Sequence, residues 1–255
     1  MNKKKSPKIT FNLFYFVFFL VLIFQSHVAF AEQTIISIPS SEVLPFGNLM
    51  LKESNRLSPF LDDFSGTMTP SATFGLGRGF ELSTGVATTI NESTMVRGNF
   101  AAKKVFFLGK GTRLTVGGSV NPYFTGQTSP DSLLYAHLSQ RIKKTRTSIT
   151  AGAYAHGQRS MPNNAGVLLG LEQVIIPNKL RFAMDWISGE NSYAKMGVGL
   201  KYRPVPTVSI TSAVIIPNED EDKIGFNFSI SKFISLKDYS LNKKETTPCL
   251  EKKNL

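Results

Sequence analysis

The chain has 255 residues, enough for one large all-β domain or two small domains. Its formal net charge is +11, but the basic residues are dispersed along strand-like segments, which argues against a nucleic-acid partner. The single cysteine, Cys249, excludes an internal disulfide framework.

The N-terminus has the pattern of an export signal. Residues 1–31 begin with lysines, continue with an apolar run at 11–24, and end on Ala29-Phe30-Ala31. This order predicts a cleavable signal peptide that is cut after Ala31. The alternative, an uncleaved anchor, is disfavoured because a membrane-spanning helix needs about 20 apolar residues.

Behind the signal, residues 32–47 carry short apolar runs between prolines and are predicted to be a periplasmic lead-in. From residue 48 onwards, apolar and small or polar residues alternate, as in Ile224, Phe226 and Phe228 against Gly225 and Asn227. A period of two predicts β-strands with two unlike faces. Twelve strands are predicted, at 48–53, 71–76, 80–88, 95–108, 112–124, 133–142, 145–156, 166–176, 179–187, 193–202, 208–215 and 224–233.

The connections between these strands alternate in length. Tight turns are predicted at 77–79, 109–111, 143–144, 177–178 and 203–207, and longer polar loops lie between them, the first of them over 55–67. Turn lengths also predict registers, because paired residues must share a face. Phe74 should pair with Leu82, Leu171 with Met184, Leu169 with Trp186, and Leu138 with Ile149.

One strand breaks the pattern, since Lys103 and Lys104 are adjacent and one of them must fall on the apolar face. A β-bulge at this point would resolve the conflict.

Three features favour a barrel in a membrane over a soluble β domain with its apolar face inward. The polar face is rich in small residues, the turns are short on one side only, and aromatic residues gather near strand ends. These aromatic residues are Phe80, Phe106, Phe107, Phe124, Trp186, Tyr193, Tyr202 and Phe233. The fold class is therefore all-β, a transmembrane antiparallel up-and-down barrel of about 12 strands, whose closure leaves no edge unpaired in lipid.

In its signal, dyad repeats and turn pattern the chain resembles bacterial outer-membrane β-barrel proteins over residues 48–234. The resemblance implies a Gram-negative envelope, outer-membrane lipids as surroundings, insertion by the barrel-assembly machinery, and both termini in the periplasm. Such proteins commonly end on an aromatic residue of the last strand. Here Phe233 would be that residue, but a charged tail at 235–255 follows it and is predicted to be a disordered extension.

With the polar face inward, the lumen carries more basic than acidic residues. Arg141 is expected opposite Arg146, and Glu172, Arg181 and Asp185 are expected to form an ion network. The inward basic residues are Arg113, Arg141, Arg146, Arg181, Lys195 and Lys201, and the inward acids are Glu81, Glu172 and Asp185. This surplus predicts a narrow channel that favours anionic solutes such as acidic sugars.

Three alternatives remain open: a closed barrel with a structural or accessory role in envelope or polysaccharide export, a barrel lipid hydrolase, and a soluble periplasmic β protein. A hydrolase has little support, because His137 and His156 are expected far apart and no Gly-x-Ser-x-Gly elbow occurs. No cofactor or metal pattern is found, and Gly75-x-Gly77-x-Gly79 leads into a strand, unlike a nucleotide loop.

Overall fold

The computed structural model describes residues 34–58, 65–90, 95–125, 130–157, 164–191, 193–219 and 224–236. Twelve antiparallel strands form a closed barrel in which each strand pairs with its sequence neighbours and β12 pairs with β1. The strands are β1 (Asn48–Ser58), β2 (Ser65–Gly77), β3 (Phe80–Ile90), β4 (Met95–Gly109), β5 (Thr112–Asn121), β6 (Asp131–Ile142), β7 (Thr147–His156), β8 (Ala165–Ile176), β9 (Leu180–Ile187), β10 (Lys195–Val205), β11 (Val208–Pro217) and β12 (Gly225–Ser235). The predicted fold class and strand number are confirmed.

The two ends of the barrel differ. The end with short turns, at 78–79, 110–111, 143–146, 177–179 and 206–207, is called the turn end, and the opposite one the loop end. Positive φ angles at Arg78, Arg146 and Asn178, of 49°, 57° and 60°, close three of these turns. The expected signal peptide with Ala29 and Ala31, and the tail from residue 237, lie outside the described residues.

The apolar face points outwards. Phe226 and Phe228 are each 44% exposed on the outer surface, whereas Lys201 is 3% exposed and faces the interior. An apolar outer surface around a polar interior is typical of a barrel that presents its outer face to lipid. Within the described ranges, no helix is both long and apolar enough to cross a membrane.

Most local registers agree with the prediction. Phe74 pairs with Leu82, and Leu171 pairs with Met184. The β6–β7 register is different, because the turn occupies four residues, 143–146, and not two. Leu138 therefore faces Ala151, not Ile149, and the shift of two residues leaves every side chain on its expected face.

The predicted bulge at Lys103 and Lys104 is wrong. The register of β4 runs unbroken through both residues, and the irregularity lies later, between Phe107 and Gly109. Lys103 points into the lumen. Lys104 lies on the outer face, over the ring of Phe106, and its ammonium donates to the carbonyl of Arg78 at the turn end, so that a long side chain carries its charge out of the apolar zone.

Two further expectations at the ends of the barrel need correction. The first hairpin is longer than predicted, since β1 runs to Ser58 and β2 begins at Ser65. Phe233 is 0% exposed and packs inside the barrel, and Tyr193 also packs against an interior cluster, so neither residue belongs to an outer aromatic girdle.

Residues 34–47, called the plug segment, lie inside the barrel. The sequence predicts a periplasmic lead-in here. The plug segment instead contacts inward residues from opposite walls, among them Glu81 on β3, Lys103 on β4 and Asp185 on β9, which is possible only from within the lumen. The reason is its composition, because Ile35 and Ile38 are 2% and 0% exposed and bury an apolar surface that the aqueous periplasm would leave solvated.

Candidate functional site: the plugged lumen

The tip of the plug segment is a tight turn held by one carboxylate. Ile35 N donates to the Ile38 carbonyl at 2.8 Å, and Thr34 and Pro39 form an isolated bridge. Asp185 Oδ2 accepts hydrogen bonds from the backbone nitrogens of residues 36, 37 and 38, at 2.8, 2.5 and 2.8 Å. A carboxylate that accepts three amides in this way neutralises the positive ends of three peptide dipoles.

The middle of the plug segment is held by a buried ion pair. Lys103 Nζ lies 2.9 Å from Glu81 Oε2, and the two side chains are 6% and 1% exposed. The same ammonium donates to the carbonyls of Ser40 at 3.1 Å and Glu42 at 2.8 Å, and Glu81 Oε1 accepts from the backbone nitrogen of Leu44. Both charged groups therefore bond to the backbone of the plug segment as well as to each other. These bonds offset the cost of removing the two charges from water.

Three more basic side chains complete the polar anchoring. Arg113 donates to the Ser41 carbonyl at 3.0 Å, and Arg181 pairs with Glu42 at 3.2 Å. Lys201 donates to the Thr34 carbonyl at 2.6 Å and pairs with Glu172 at 2.8 Å.

Apolar contacts fix the plug segment at three levels. Ile35 and Ile36 pack against alanines of β9 and β11, Ile38 packs among Tyr135, Tyr154, Leu168 and Ile187, and Leu44 packs against Met50 and Phe233. Burying a large aliphatic side chain contributes about 1.5–3 kcal/mol. The lumen therefore has its own hydrophobic core, and the plug segment is part of it.

Inward glycines leave room for this packing. A Cβ at Gly170 would lie 2.4 Å from Ile35 Cδ1, and one at Gly197 would lie 2.8 Å from Ile36 Cγ2. At Gly75 an added Cβ would lie within 2.6 Å of the Leu44 and Pro45 carbonyl oxygens. Since backbone atoms yield less than side-chain ends, Gly75 sets the closest approach of the plug segment to the wall.

The plug segment separates two cavities. The turn-end cavity, of about 30 Å³, is lined by Glu42 and Glu172 and by four arginines, Arg113, Arg141, Arg146 and Arg181. The loop-end cavity, of about 220 Å³, lies beyond the tip and is lined by Ser37, Arg97, Tyr193 and Lys195, among others. Burial raises the pKa of Tyr193 to about 12, so its hydroxyl stays protonated, and it accepts a hydrogen bond from Asn121 Nδ2 at 3.2 Å.

The structure places the predicted lumen residues in three groups. Arg113, Arg181, Lys201, Glu81 and Asp185 contact the plug segment, and Glu172 reaches it through Lys201. Arg141 and Arg146 are exposed at the turn-end cavity. Of the predicted lumen residues, Lys195 is the one that lines the loop-end cavity.

Two predicted arrangements are wrong. Arg141 faces Ser148 and not Arg146, because of the longer turn. The expected network of Glu172, Arg181 and Asp185 is divided, because each of the three takes a different partner on the plug segment or on Lys201.

Four charged residues of the lumen were not predicted as site residues. They are Lys103, Glu42, Arg97 and Arg56, the last an electrostatic neighbour of Lys195. Lys103 was detectable as one of two adjacent lysines, but its pairing with Glu81 depends on the register of β3 and β4. Glu42 carried no signal, because nothing in an irregular segment indicates which wall it meets.

The two histidines contact different tyrosines of the interior cluster around Ile38. His137 stacks on Tyr135 with ring centroids 6.0 Å apart, and the His156 ring lies 4.7 Å from that of Tyr193. Ser139 Oγ lies 3.4 Å from His137 Nδ1, but it also bonds to Thr150 at 2.8 Å. Both Ser139 and His137 are buried, at 2% and 1% exposure, so this pair is not presented to a lipid substrate.

No family model and no curated protein matches the sequence. Among solved structures, the KdgM porin aligns with a TM-score of 0.52 and 12% identity, over 72% of this chain and 98% of that chain. Omp33 of Acinetobacter baumannii aligns at 0.47 with 11% identity over 74% and 99%, and outer membrane phospholipase A of Escherichia coli at 0.46 with 10% identity over 76% and 95%. At these identities the similarity concerns the fold, and this fold is that of bacterial outer-membrane barrels.

Proposed function

We propose that the protein is a passive, non-enzymatic channel in a bacterial outer membrane, that its turn end faces the periplasm, and that it favours small anionic solutes. The observation that carries this proposal is the charge at the turn-end cavity, where four arginines meet two acids. Glu42 is paired with Arg181, and Glu172 with Lys201. Arg141 and Arg146 thus leave an uncompensated positive charge at this mouth, which attracts anions and repels cations.

The plug segment sets the conditions for passage. Ile35, Ile36, Ile38 and Leu44 are buried, and the backbone of the plug segment is bonded to several walls. A solute therefore crosses only through a restricted path or after the plug segment has moved. The channel is therefore narrow, and its conductance depends on residues 34–47.

A structural neighbour is consistent with anionic cargo. The KdgM porin has also been solved in complex with disordered oligogalacturonate, a saccharide with one carboxylate on each ring, and that structure aligns with a TM-score of 0.52 and 12% identity. A barrel of this general shape thus accommodates acidic solutes. The proposal for this chain rests on its own arginines.

Single-channel recording in planar bilayers tests the proposal. We expect anion-selective steps from the mature chain and larger steps from a variant that lacks residues 34–44. Reversing the mouth charge with Arg141→Glu and Arg146→Glu should lower the preference for anions. The matched control is Lys143→Glu with Lys144→Glu, which changes as much charge in the same turn but away from the cavity lining.

A second candidate function, a closed barrel with a structural or accessory role, is favoured by the packing of Ile35, Ile38 and Leu44, each at most 2% exposed. The same recordings separate the two. The absence of steps from both the mature chain and the shortened variant, with heat-modifiable migration showing that both barrels are folded, would exclude the channel and leave the closed barrel.

A further inference from the structure

The loop-end cavity is a space inside the barrel that the plug segment leaves unfilled. Its floor is the tip of the plug segment at Ser37 and Pro39. Its volume of about 220 Å³ would hold about seven water molecules at about 30 Å³ each.

Positive charge lies on opposite walls of this cavity, since Lys195 is on β10 and Arg97 is on β4, six strands away in the closed barrel. Lys195 and Arg97 line it, and Arg56 and Arg97 are both electrostatic neighbours of Lys195. Arg97 is paired with the buried carboxylate of Asp131 at 3.6 Å. That carboxylate also accepts a hydrogen bond from Tyr123 at 2.6 Å.

Lys195 is less well compensated, because its acidic electrostatic neighbour, Asp185, already accepts hydrogen bonds from three backbone amides of the plug segment. Among the residues described by the structure, none forms a hydrogen bond or ion pair with its ammonium. A charge set this far into a barrel normally has a partner, because an unpaired ion loses most of its hydration there. The arrangement is therefore incomplete as it stands, and an anion in the cavity would complete it.

The rest of the lining matches a hydroxylated ring. The amides of Asn99 and Asn121 and the hydroxyl of Ser119 supply donors and acceptors on one side. Tyr135 and Tyr154 supply aromatic surface, and Leu168 and Ile187 supply aliphatic surface. A small number of polar groups opposite an apolar wall is typical of pockets that recognise one small molecule.

We propose that the loop-end cavity binds a sugar acid, a single hydroxylated ring with one carboxylate, and that Lys195 and Arg97 hold the carboxylate. The inference rests on the proposed function, since it identifies a solute class for the same lumen. Binding is measurable without transport, however, so the two proposals fail separately.

Isothermal titration of the mature chain in detergent micelles, with glucuronate, glucose and inorganic phosphate as probes, tests the site. We expect glucuronate to bind at least tenfold more tightly than either glucose or phosphate. Lys195→Met should weaken glucuronate binding at least tenfold. Lys143→Met removes the same charge from the exposed β6–β7 turn and should leave binding unchanged, and heat-modifiable migration confirms that each variant is folded.

Three results would overturn the site: equal affinity for glucose and glucuronate, phosphate binding as tightly as glucuronate, or a Lys195→Met variant that binds glucuronate like the parent. Glucuronate binding without any conductance would contradict the proposed channel but support the proposed site. Anion-selective conductance with no effect of Lys195→Met on glucuronate binding would contradict the proposed site but support the proposed channel.

Discussion

Asp185 and Ser37 are 148 residues apart in the chain, yet inside the barrel the carboxylate of Asp185 accepts a hydrogen bond from the backbone amide of Ser37 at 2.5 Å. The amides of Ile36 and Ile38 bond to the same oxygen. A single side chain on β9 therefore fixes the tip of the plug segment, and the plug segment fixes how much of the lumen is open.

Removing this carboxylate should release the tip. With Asp185→Ala, three buried amides lose their acceptor, and hydrogen bonds to charged groups are each worth about 1.5–3 kcal/mol. We expect the plug segment to become accessible to glutamyl endopeptidase, with a cut after Glu42 that mass spectrometry detects. Asp131→Asn alters another buried acid that does not touch the plug segment and should leave Glu42 protected. Protection of Glu42 in Asp185→Ala would show that the remaining polar and apolar contacts suffice to hold the plug segment.

The buried pair of Lys103 and Glu81 should show strong coupling. Lys103→Met leaves Glu81 without its partner and should lower the free energy of unfolding by about 3–5 kcal/mol. Glu81→Gln should cost a similar amount, because it leaves the ammonium uncompensated. The double variant should cost clearly less than the sum of the two, as urea titration of the refolded barrel would show. Additive losses would mean that each residue acts only through the plug segment.

Gly75 should be intolerant of a side chain for a reason specific to the plug segment. The Cβ of Gly75→Ala would meet backbone oxygens of Leu44 and Pro45, so the plug segment or β2 must shift, at a cost of about 1–3 kcal/mol. We expect both a lower free energy of unfolding and faster cleavage after Glu42.

The control for this steric prediction is Gly225→Ala, also on the inner face, where the added Cβ would lie 3.2 Å or more from its neighbours, none of them in the plug segment. Equal effects of the two substitutions on cleavage after Glu42 would contradict the assigned role of Gly75.

Local features could be predicted from the sequence because they depend on neighbours along the chain. The pairing of Phe74 with Leu82 follows from the length of a turn, and alternation places Phe226 and Phe228 on one face. The small residues of the opposite face and the short turns at one end then predict that this apolar face points outwards, as it does. The register of Arg141 was missed by two residues, since nothing in the sequence 143–146 marks a four-residue turn with Arg146 in a left-handed conformation.

The sequence by itself determined the class of fold, the number of strands, the outward apolar face and the basic character of the lumen. The strands follow from a period of two, the outward apolar face from the small residues of the polar face and the short turns at one end, and the basic lumen from counting charges. Only the tertiary structure decided that residues 34–47 fill the barrel and that Asp185, Lys103 and Lys201 hold them there. The physical reason is that an irregular apolar segment has no period to indicate its direction. Its partners come from strands far apart in the chain, which are brought to one place only when the barrel closes.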